Sequence, residues 1–455
     1  MELYLDLLEG DGPLRARLER SLRDAVRSGR LAPGAALPPS RVLAGELGIS
    51  RGVVVEAYEQ LTAEGFLVAR RGSGTRVAGA AAPEGDIAPS PAASASTLPP
   101  LRFDLRPGVP DLGAFPRRRW LAALGDAVRE LPEARFGYGD PRGAVELRET
   151  LAAYLGRARG VIATPERIVA TGGLRQGLSV LWAVLASGGL RRVAVEEPGW
   201  SGQRDTVGGA GLEPVPVQVD GDGVLVEELE RTGAGAVVLT PANQYPTGAV
   251  LAPERRTALV EWARRRDAVI VEDDYDAQYR YDRDPVGSLQ GLAPDITVHG
   301  GSASKILAPA VGIGWLVLPD RLVDAVAAQK AKVAGGGSAL EQVAFARLLE
   351  SGELDRHLRR MRRVYRRRRE RVLRALEEEL PGIAVEGAAA GLHVVVRLPV
   401  GSDEAAAVEA ARRHGVRVEG VGAGPPALML GYGRLAEDAV PAAVGALAAA
   451  LESPR

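Results

Sequence analysis

Apolar residues near the start of the chain recur at the spacing of an α-helix. A first helix is predicted before Gly29, because its apolar residues share one face: Leu14, Leu18, Leu22, Ala25 and Val26. A second, short helix is predicted over 40–47, with Gly48 as the turn that follows it. Ser50 can cap a third helix that starts near Arg51 and has an apolar inner face of Val54, Ala57, Tyr58 and Leu61. This order is typical of a helix-turn-helix motif, whose second helix enters the major groove of DNA.

A β-hairpin is predicted directly after these helices. Residues 65–69 are mostly apolar, and residues 70–77 follow with glycines and arginines at the predicted tip. The stretch 13–77 contains eleven arginines, no lysine and six acidic residues, although the whole chain has a net charge of −1. A small basic domain on an acidic body indicates a nucleic-acid partner.

Short apolar runs alternate with helical stretches from about residue 101 onward. A helical pattern over 253–266 separates two of six predicted strands, which cover 167–170, 192–196, 236–240, 268–272, 295–299 and 313–318. This alternation is typical of an α/β fold with a mostly parallel sheet. Such sheets bind their ligands at the carboxyl ends of the strands.

Three lysines occur in the chain, and arginine supplies the rest of the 57 basic residues. Lys305 lies in a stretch of small and apolar residues over 299–307. A desolvated amine can lose its proton and attack a carbonyl, whereas a guanidinium stays charged. The sequence therefore makes Lys305 a candidate Schiff-base lysine. Lys330 and Lys332 lie in a polar helical run, and we predict that they are ordinary surface lysines.

Polar residues collect where the predicted strands end. The loops carry, in chain order, a Gly-rich helix start at 171–176, the ring of Trp200, a Pro/Gly turn at 241–248, an acidic cluster at 272–276 and Lys305. A helix start of this kind suits a phosphate group. Together these loops provide a phosphate cradle, a stacking ring, a carboxylate and an amine, which are the parts that pyridoxal 5′-phosphate (PLP) requires.

Composition excludes several other classes of protein. The chain has no cysteine and four histidines far apart in sequence, so we expect neither disulfides nor a metal site. No apolar run is long enough to span a bilayer, and the N-terminus lacks a signal-peptide pattern. With a hydrophobic content of 46% and a charged content of 25%, we expect a soluble, cytoplasmic protein without a membrane partner.

The chain is predicted to fold as several domains, because 455 residues are too many for one compact core. Residues 79–100 are rich in Ala, Pro, Ser and Gly, a composition that predicts a flexible linker. We therefore expect a DNA-binding domain over 1–78 and a larger domain over 101–455. A smaller C-terminal subdomain is expected within the larger domain, from about residue 320.

The N-terminal stretch resembles the GntR-type winged helix over residues 12–78. The motifs that carry the resemblance are Leu37-Pro38-Pro39-Ser40-Arg41-Val42-Leu43-Ala44, Leu47-Gly48-Ile49-Ser50-Arg51 and Arg71-Gly72-Ser73-Gly74-Thr75. The resemblance implies that double-stranded DNA is the partner and that Arg41, Ser50 and Arg51 lie at the DNA surface. It also implies that Arg71 and Gly72 form the wing tip in the minor groove.

The rest of the chain resembles the fold-type I aminotransferases, which are α/β proteins that carry PLP. By this resemblance Lys305 forms the Schiff base with the cofactor, and Asp273 pairs with the protonated pyridine nitrogen. Tyr275 is placed to reach the phenolic oxygen of the ring, and Trp200 stacks on the ring. Asp274 stays open as an alternative to Asp273, since the sequence does not fix which carboxylate turns inward.

The resemblance places the cofactor phosphate near the backbone of Gly173 and Leu174 and near Ser302 and Ser304. The family commonly has an arginine on this phosphate, and Gly312 occupies that position here. Arg175 stands beside the site, and it either replaces the missing charge or points to solvent or a nearby acid.

Two further positions depart from the aminotransferase pattern. Met429 aligns with an arginine that holds the carboxylate of an amino-acid substrate, and Tyr245 aligns with an asparagine. The regulator group described next often has an aromatic residue at that second position. Both departures argue against efficient transamination of amino acids.

A winged helix, a linker and an aminotransferase-like domain together resemble the MocR/GabR group of bacterial transcription regulators. Motifs at 272–276, 279–281 and 391–393 match this group better than generic aminotransferases. The resemblance implies a head-to-tail homodimer that regulates transcription in response to PLP or to an amine or amino acid joined to it. Two alternatives remain open at this point: an aminotransferase with an accessory DNA-binding domain, and a regulator whose pocket does not hold PLP.

Overall fold

The computed structural model describes residues 12–70, 74–79, 100–282, 286–387 and 389–452. The chain divides into two compact units, Met1–Thr97 and Leu98–Arg455. Most of the predicted linker and two predicted wing-tip residues, Arg71 and Gly72, lie outside the described residues. Within the described ranges, no helix is long and apolar enough to cross a membrane.

The small unit is a three-helix winged-helix domain. Its elements are α1 Leu14–Arg27, α2 Ser40–Leu47, α3 Arg51–Ala63, β1 Leu67–Arg70 and β2 Gly74–Val77. The antiparallel pair of β1 and β2 forms the base of the wing. Gly48 adopts the left-handed conformation with a φ of 65°, and the Ser50 side chain accepts a hydrogen bond from the Val53 amide. The predicted bounds of α2 and the predicted start of α3 are therefore confirmed, because a glycine turn ends α2 and a serine cap begins α3 locally.

The large unit contains both helices and strands throughout its length. Its helices are α4 Arg117–Glu130, α5 Val145–Arg159, α6 Leu174–Ser187, α7 Ser201–Gly209, α8 Val226–Thr232, α9 Pro253–Arg266, α10 Ala303–Ile306, α11 Asp320–Val333, α12 Ala339–Glu350, α13 Glu353–Glu379, α14 Glu404–Arg413 and α15 Val440–Glu452. Its strands are β3 Phe103–Asp104, β4 Ile168–Thr171, β5 Arg192–Glu197, β6 Glu213–Asp220, β7 Gly223–Val224, β8 Ala236–Leu239, β9 Val269–Asp274, β10 Thr297–Ser302, β11 Gly314–Val317, β12 Val385–Glu386, β13 His393–Arg397, β14 Val416–Arg417, β15 Glu419–Gly420 and β16 Ala427–Gly431.

Eight strands form the central sheet, in the order β4-β11-β10-β9-β8-β5-β6-β7. The strands from β10 to β6 pair in parallel, whereas β11 is antiparallel to both of its neighbours. All six predicted strands overlap observed strands of this sheet, which confirms the α/β class. Sequence reasoning missed β6, because Pro214 and Pro216 interrupt its apolar pattern. The Glu213 amide donates to the Arg191 carbonyl beside β5, so the nitrogens of the next residue and of the one two further on face away from β5. Both prolines therefore leave the ladder with β5 intact.

A second, four-stranded sheet lies in the C-terminal part of the large unit, in the order β12-β13-β16-β15. The parallel pair of β3 and β14 joins the start of this unit to its C-terminal part. The Gly431 amide donates a hydrogen bond of 2.7 Å to the Leu105 carbonyl. These contacts hold the segment over 105–108 against the C-terminal sheet.

A buried ion pair fixes the end of strand β9. Arg159 Nε donates to Asp274 Oδ2 at 2.7 Å, and the two side chains are only 1% and 2% exposed. The Arg159 guanidinium also donates to the Val286 carbonyl at 2.7 Å. Removing one partner of such a pair leaves a buried charge without compensation. The stability lost is then larger than the net stability that the pair contributes.

We expect Arg159→Leu to lower the free energy of unfolding by about 3–5 kcal/mol, because it removes the guanidinium that neutralises the buried Asp274. His299 Nε2 lies 3.8 Å from Asp274 Oδ2, too far to replace this hydrogen-bonded pair. Arg157→Leu is the matched control, since the Arg157–Asp355 pair at 3.0 Å is largely exposed. The control should lose about 0–1 kcal/mol. Urea denaturation of both variants measures the difference, and equal losses would contradict the special role of the buried pair.

Candidate functional site

Five loops of the large unit meet at one edge of the central sheet. Strands β5, β8, β9 and β10 are parallel, and β4 runs the same way because it is antiparallel to β11. Their carboxyl ends therefore point to the same side. The loops that follow carry the polar groups singled out in the sequence: Gly173, Trp200, Asn243, Tyr275 and Lys305.

Lys305 lies in the short helix α10, directly after β10. The side chain of Ser302 caps this helix by accepting a hydrogen bond of 3.0 Å from the Ser304 amide. The Lys305 amine donates to the backbone carbonyl of Gly108. Burial lowers the pKa of Lys305, and the nearby carboxylates of Asp276 and Asp273 oppose this shift. A partly desolvated amine is easier to deprotonate, as a nucleophilic lysine requires.

Asp273 and Asp274 lie on opposite sides of strand β9, because successive side chains of a strand alternate. Asp274 is held by Arg159, as described above, whereas Asp273 Oδ2 accepts a hydrogen bond of 2.8 Å from Gln203 Nε2. The other oxygen, Asp273 Oδ1, is buried and has no hydrogen-bond partner among the described residues. Burial raises the pKa of Asp273 to about 6. Of the two carboxylates, this geometry favours Asp273 as the group that meets a ligand.

Two residues that sequence reasoning did not assign to the site, Asn243 and Asp276, complete this side of it. Asn243 Nδ2 donates to the Tyr275 hydroxyl at 3.1 Å and to Asp276 Oδ1 at 2.9 Å. Burial raises the pKa of Asp276 to about 8. A Cβ atom at Gly391 would lie 2.9 Å from both side chains, so only glycine fits there. The position of Asn243 in the predicted Pro/Gly turn was the only sequence signal for its role.

The Gly173 loop presents backbone N–H groups at the start of helix α6. Gly173 has a φ of 128° and no side chain caps the helix. The loop packs tightly on β11, since a Cβ atom at Gly314 would lie 2.8 Å from the Leu174 nitrogen. The first N–H groups of a helix have no intrahelical partner, so this helix start can bind a phosphate. Ser302 Oγ donates to Ser304 Oγ at 2.7 Å on the neighbouring helix α10.

Arg175 points to solvent and to a nearby acid, and it does not replace the missing phosphate arginine. Its guanidinium lies over the ring of Trp200 at 5.0 Å and comes within 3.9 Å of Asp205, and its side chain is 59% exposed. Gly312 has a φ of 60°, and a Cβ atom there would meet nothing within 4 Å. The position that commonly holds the phosphate arginine is therefore a left-handed turn in this chain.

The predicted DNA-contacting arginines of the small unit are exposed. Arg41 lies in the first turn of α2 and Arg51 is the first residue of α3. Arg51 Nε makes a single long hydrogen bond of 3.4 Å to Ser40 Oγ. Both guanidiniums are thus accessible at the starts of their helices.

The prediction that Lys330 is an ordinary surface lysine is wrong. Its side chain is buried at 2% exposure, and its amine donates to the Pro141 carbonyl at 2.6 Å. Burial lowers the pKa of Lys330 to about 8. The tertiary fold covers this residue, which local polarity did not reveal. Lys332 is exposed, as predicted.

Comparison with known families matches both units. The family model of gntR-type bacterial regulatory proteins matches residues 14–77. The model of aminotransferase class I and II matches residues 105–428, and this match implies PLP as the cofactor. The kynurenine aminotransferase of Pyrococcus horikoshii, solved in complex with PMP, has a TM-score of 0.70 and 26% identity, covering 77% of this chain and 90% of that chain.

Curated relatives match along both units. The HTH-type pyridoxine biosynthesis transcriptional regulator PdxR of Corynebacterium glutamicum is 36% identical over 380 residues, 84% of this chain and 82% of the relative. The probable rhizopine catabolism regulatory protein MocR of Rhizobium meliloti is 32% identical over 427 residues, 90% of this chain and 86% of the relative. The chain thus belongs to the family of transcriptional regulators that join a gntR-type helix-turn-helix domain to an aminotransferase class I and II domain.

Proposed function

We propose that the small unit binds operator DNA and that the large unit changes this binding when it holds PLP, or an amine or amino acid joined to PLP. The observation that carries the proposal is the buried Oδ1 of Asp273, which has no hydrogen-bond partner in the described part of the chain and lies in the electrostatic environment of Lys305. A buried carboxylate oxygen without a partner is costly and calls for a ligand with a donor. The protonated pyridine nitrogen of PLP is such a donor.

The residues at the sheet edge fit this cofactor, which supplies an aldehyde that amines attack and a ring that withdraws electrons. Lys305 would hold it covalently, and Asp273, itself oriented by Gln203, would keep a proton on the ring nitrogen. The Tyr275 hydroxyl, oriented by Asn243, would meet the phenolic oxygen. The backbone at Gly173 and Leu174, with Ser302 and Ser304, would bind the phosphate, and Trp200 would cover the ring.

Sensing rather than steady turnover is favoured by the substrate side of the pocket. Met429 is buried and packs with Val395 and Tyr245 in a small apolar cluster. A thioether cannot form the bidentate ion pair with which an arginine holds a carboxylate. The names of the PdxR and MocR relatives describe regulators, which agrees with this view. We therefore propose that enzymatic turnover is not the main function.

We also propose that the protein acts in the cytoplasm as a head-to-tail homodimer, as its family resemblance implies. A ligand can shift such a dimer between states only by as much as its affinities for those states differ. The mass of the protein in solution, with and without PLP, tests the dimer.

We expect Lys305→Ala to abolish the Schiff-base absorbance band of the PLP-loaded protein and its covalent labelling after borohydride reduction. Lys330→Ala is the matched control, because Lys330 is the other buried lysine and makes only a backbone contact. The control should keep both signals. A label that maps to Lys330, or a wild-type protein that never takes up added PLP, would contradict the assignment.

We expect Arg51→Ala to weaken binding to the preferred DNA duplex by roughly ten- to a hundred-fold, because a base contact by arginine is worth about 1–3 kcal/mol. The duplex is obtained by selection from random-sequence DNA with the wild-type protein. Arg30→Ala is the control, since Arg30 is also exposed and hydrogen-bonds only Ser28. Gel shifts across a salt series measure both variants, and equal affinities would remove Arg51 from the interface.

The raised pKa of Asp273 gives a prediction for the protein without PLP. The folded state holds the Asp273 proton up to about pH 6, whereas the unfolded chain releases it near its ordinary value of about 3.9. The stabilisation from this proton is therefore full below the unfolded pKa and is lost as the pH rises through the folded pKa.

The asparagine in Asp273→Asn does not titrate, so the variant does not lose this stabilisation. As the pH rises from about 4 to about 7, we expect its free energy of unfolding to increase relative to wild type by an amount on the order of 3 kcal/mol. The same variant should bind PLP more weakly, because an amide cannot hold the charged ring nitrogen. Unfolding curves across pH and PLP titrations measure the two effects. Parallel stability–pH curves for the two proteins would show that Asp273 does not titrate as described.

A further inference from the structure

Seven arginines line one open cleft of the large unit, and the cleft lining contains none of the residues assigned above to the cofactor. Arg117, Arg118 and Arg119 come from the first turn of α4, and Arg356, Arg359, Arg360 and Arg363 come from α13, around a cavity of about 920 Å³. We refer to this cavity as the arginine cleft. Glu353 is the single acidic residue of its lining. The whole chain has a net charge of −1, so this concentration of positive charge is local.

The arginines of α13 form a continuous stripe along the helix. Arg356, Arg359, Arg360 and Arg363 follow the spacing of three and four residues that places side chains on one helix face. The stripe is about 10 Å long, because each residue of a helix adds about 1.5 Å. Like charges at this spacing repel each other and destabilise the helix, so the stripe does not serve helix stability.

The arginines of α4 lie where a cation is least favourable for a helix. The first turn of α4 has three arginines, no acidic residue, and no side chain that caps it. The positive end of the helix dipole and the free N–H groups of that turn repel cations and attract anions. Arg117 to Arg119 thus reinforce a site for negative charge at the cost of helix stability.

Few acidic groups neutralise the cleft. Arg119 and Arg356 share Glu353, at 3.0 and 2.9 Å. Arg118, Arg359 and Arg363 are exposed, and among the described residues they have neither an ion pair nor a hydrogen bond. His357 on the cleft floor adds no charge at neutral pH, since burial lowers its pKa to about 4. The cleft therefore carries several guanidiniums without partners.

We propose that the arginine cleft binds the sugar–phosphate backbone of DNA, as a second contact surface besides the winged helix. Arginine is the side chain that best matches phosphate oxygens. A strand of DNA places one phosphate about every 3.4 Å along its axis, so the α13 stripe spans about three phosphates. The cleft is open, and arginines make up seven of its twelve lining residues, which suits a backbone read without regard to sequence.

The cleft also lies close to the lysine of the cofactor site. His357 borders the backbone carbonyl of Ile306, the neighbour of Lys305 in helix α10. The inference rests on the DNA binding of the proposed function. It adds the surface of the large unit that contacts the DNA.

The test compares two triple variants of the full-length protein. The cleft variant is Arg118→Gln, Arg359→Gln and Arg363→Gln, which breaks no hydrogen bond or ion pair between described residues. The control variant is Arg321→Gln, Arg371→Gln and Arg413→Gln, which removes the same charge from exposed arginines outside the cleft. Binding to a random-sequence duplex of about 60 base pairs, well beyond one helical turn, is measured across a salt series.

We expect the cleft variant to lower the slope of log affinity against log salt by about 2 to 3, since each lost phosphate contact removes about 0.9. The control variant should keep the wild-type slope. Equal slopes for the two variants would overturn the proposal. A change in the solution mass of the cleft variant would also overturn it, because the cleft would then be an interface between protein chains.

Two further measurements distinguish DNA in the cleft from a small anion in the cleft and from a loss of DNA binding altogether. Inorganic tripolyphosphate is titrated as a small polyanion. If only the cleft variant loses tripolyphosphate binding while its salt slope for DNA stays unchanged, the occupant of the cleft is a small anion and the DNA proposal is overturned. Arg51→Ala is measured on the same duplex. If wild-type protein binds no DNA, the proposed function fails; if Arg51→Ala weakens binding and the cleft variant does not, only the cleft inference fails.

Discussion

The alternation of side chains along strand β9 is the constraint on which the cofactor site depends. One carboxylate, Asp274, is fixed by the buried guanidinium of Arg159 on one side of the strand. Its neighbour Asp273 must then point to the other side, towards Gln203. A shift of one residue in the strand would exchange the two carboxylates, so the buried ion pair also sets the register of the site.

The site concentrates acidic groups that are costly to bury. Burial raises the pKa of Asp273 to about 6 and of Asp276 to about 8. It also raises the pKa of Glu196, which lies near the carboxyl end of β5 in the electrostatic environment of Asp273, to about 7. Hydrogen bonds from Thr240 to Glu196 and from Asn243 to Asp276 offset part of this cost. A pocket of this kind is stabilised by a ligand that brings positive charge or hydrogen-bond donors, which links ligand binding to the stability of the fold.

Arginine serves opposite purposes in different parts of this chain. Arg159 and Arg368 are buried and paired with Asp274 and Asp111, so losing either guanidinium would leave a carboxylate without its partner. Arg51 is exposed at a helix start, and the arginines of the cleft on α4 and α13 lack sufficient acidic partners. Arginines that repel each other or oppose a helix dipole do not stabilise the fold, which is why they indicate an anionic partner.

The sequence by itself determined the features that depend on neighbours along the chain. The glycine turn and serine cap defined α2 and α3, and the apolar runs located six strands of the central sheet. Because parallel strands end at one edge, the loops with Trp200, Tyr275 and Lys305 were expected to meet there. Tertiary structure alone decided that Asp273 faces Gln203, that Asn243 orients Tyr275 and that Lys330 is buried. It also brought α4 and α13 together in the arginine cleft. These contacts join residues far apart in sequence, and local periodicity carries no information about which distant segments will pack together.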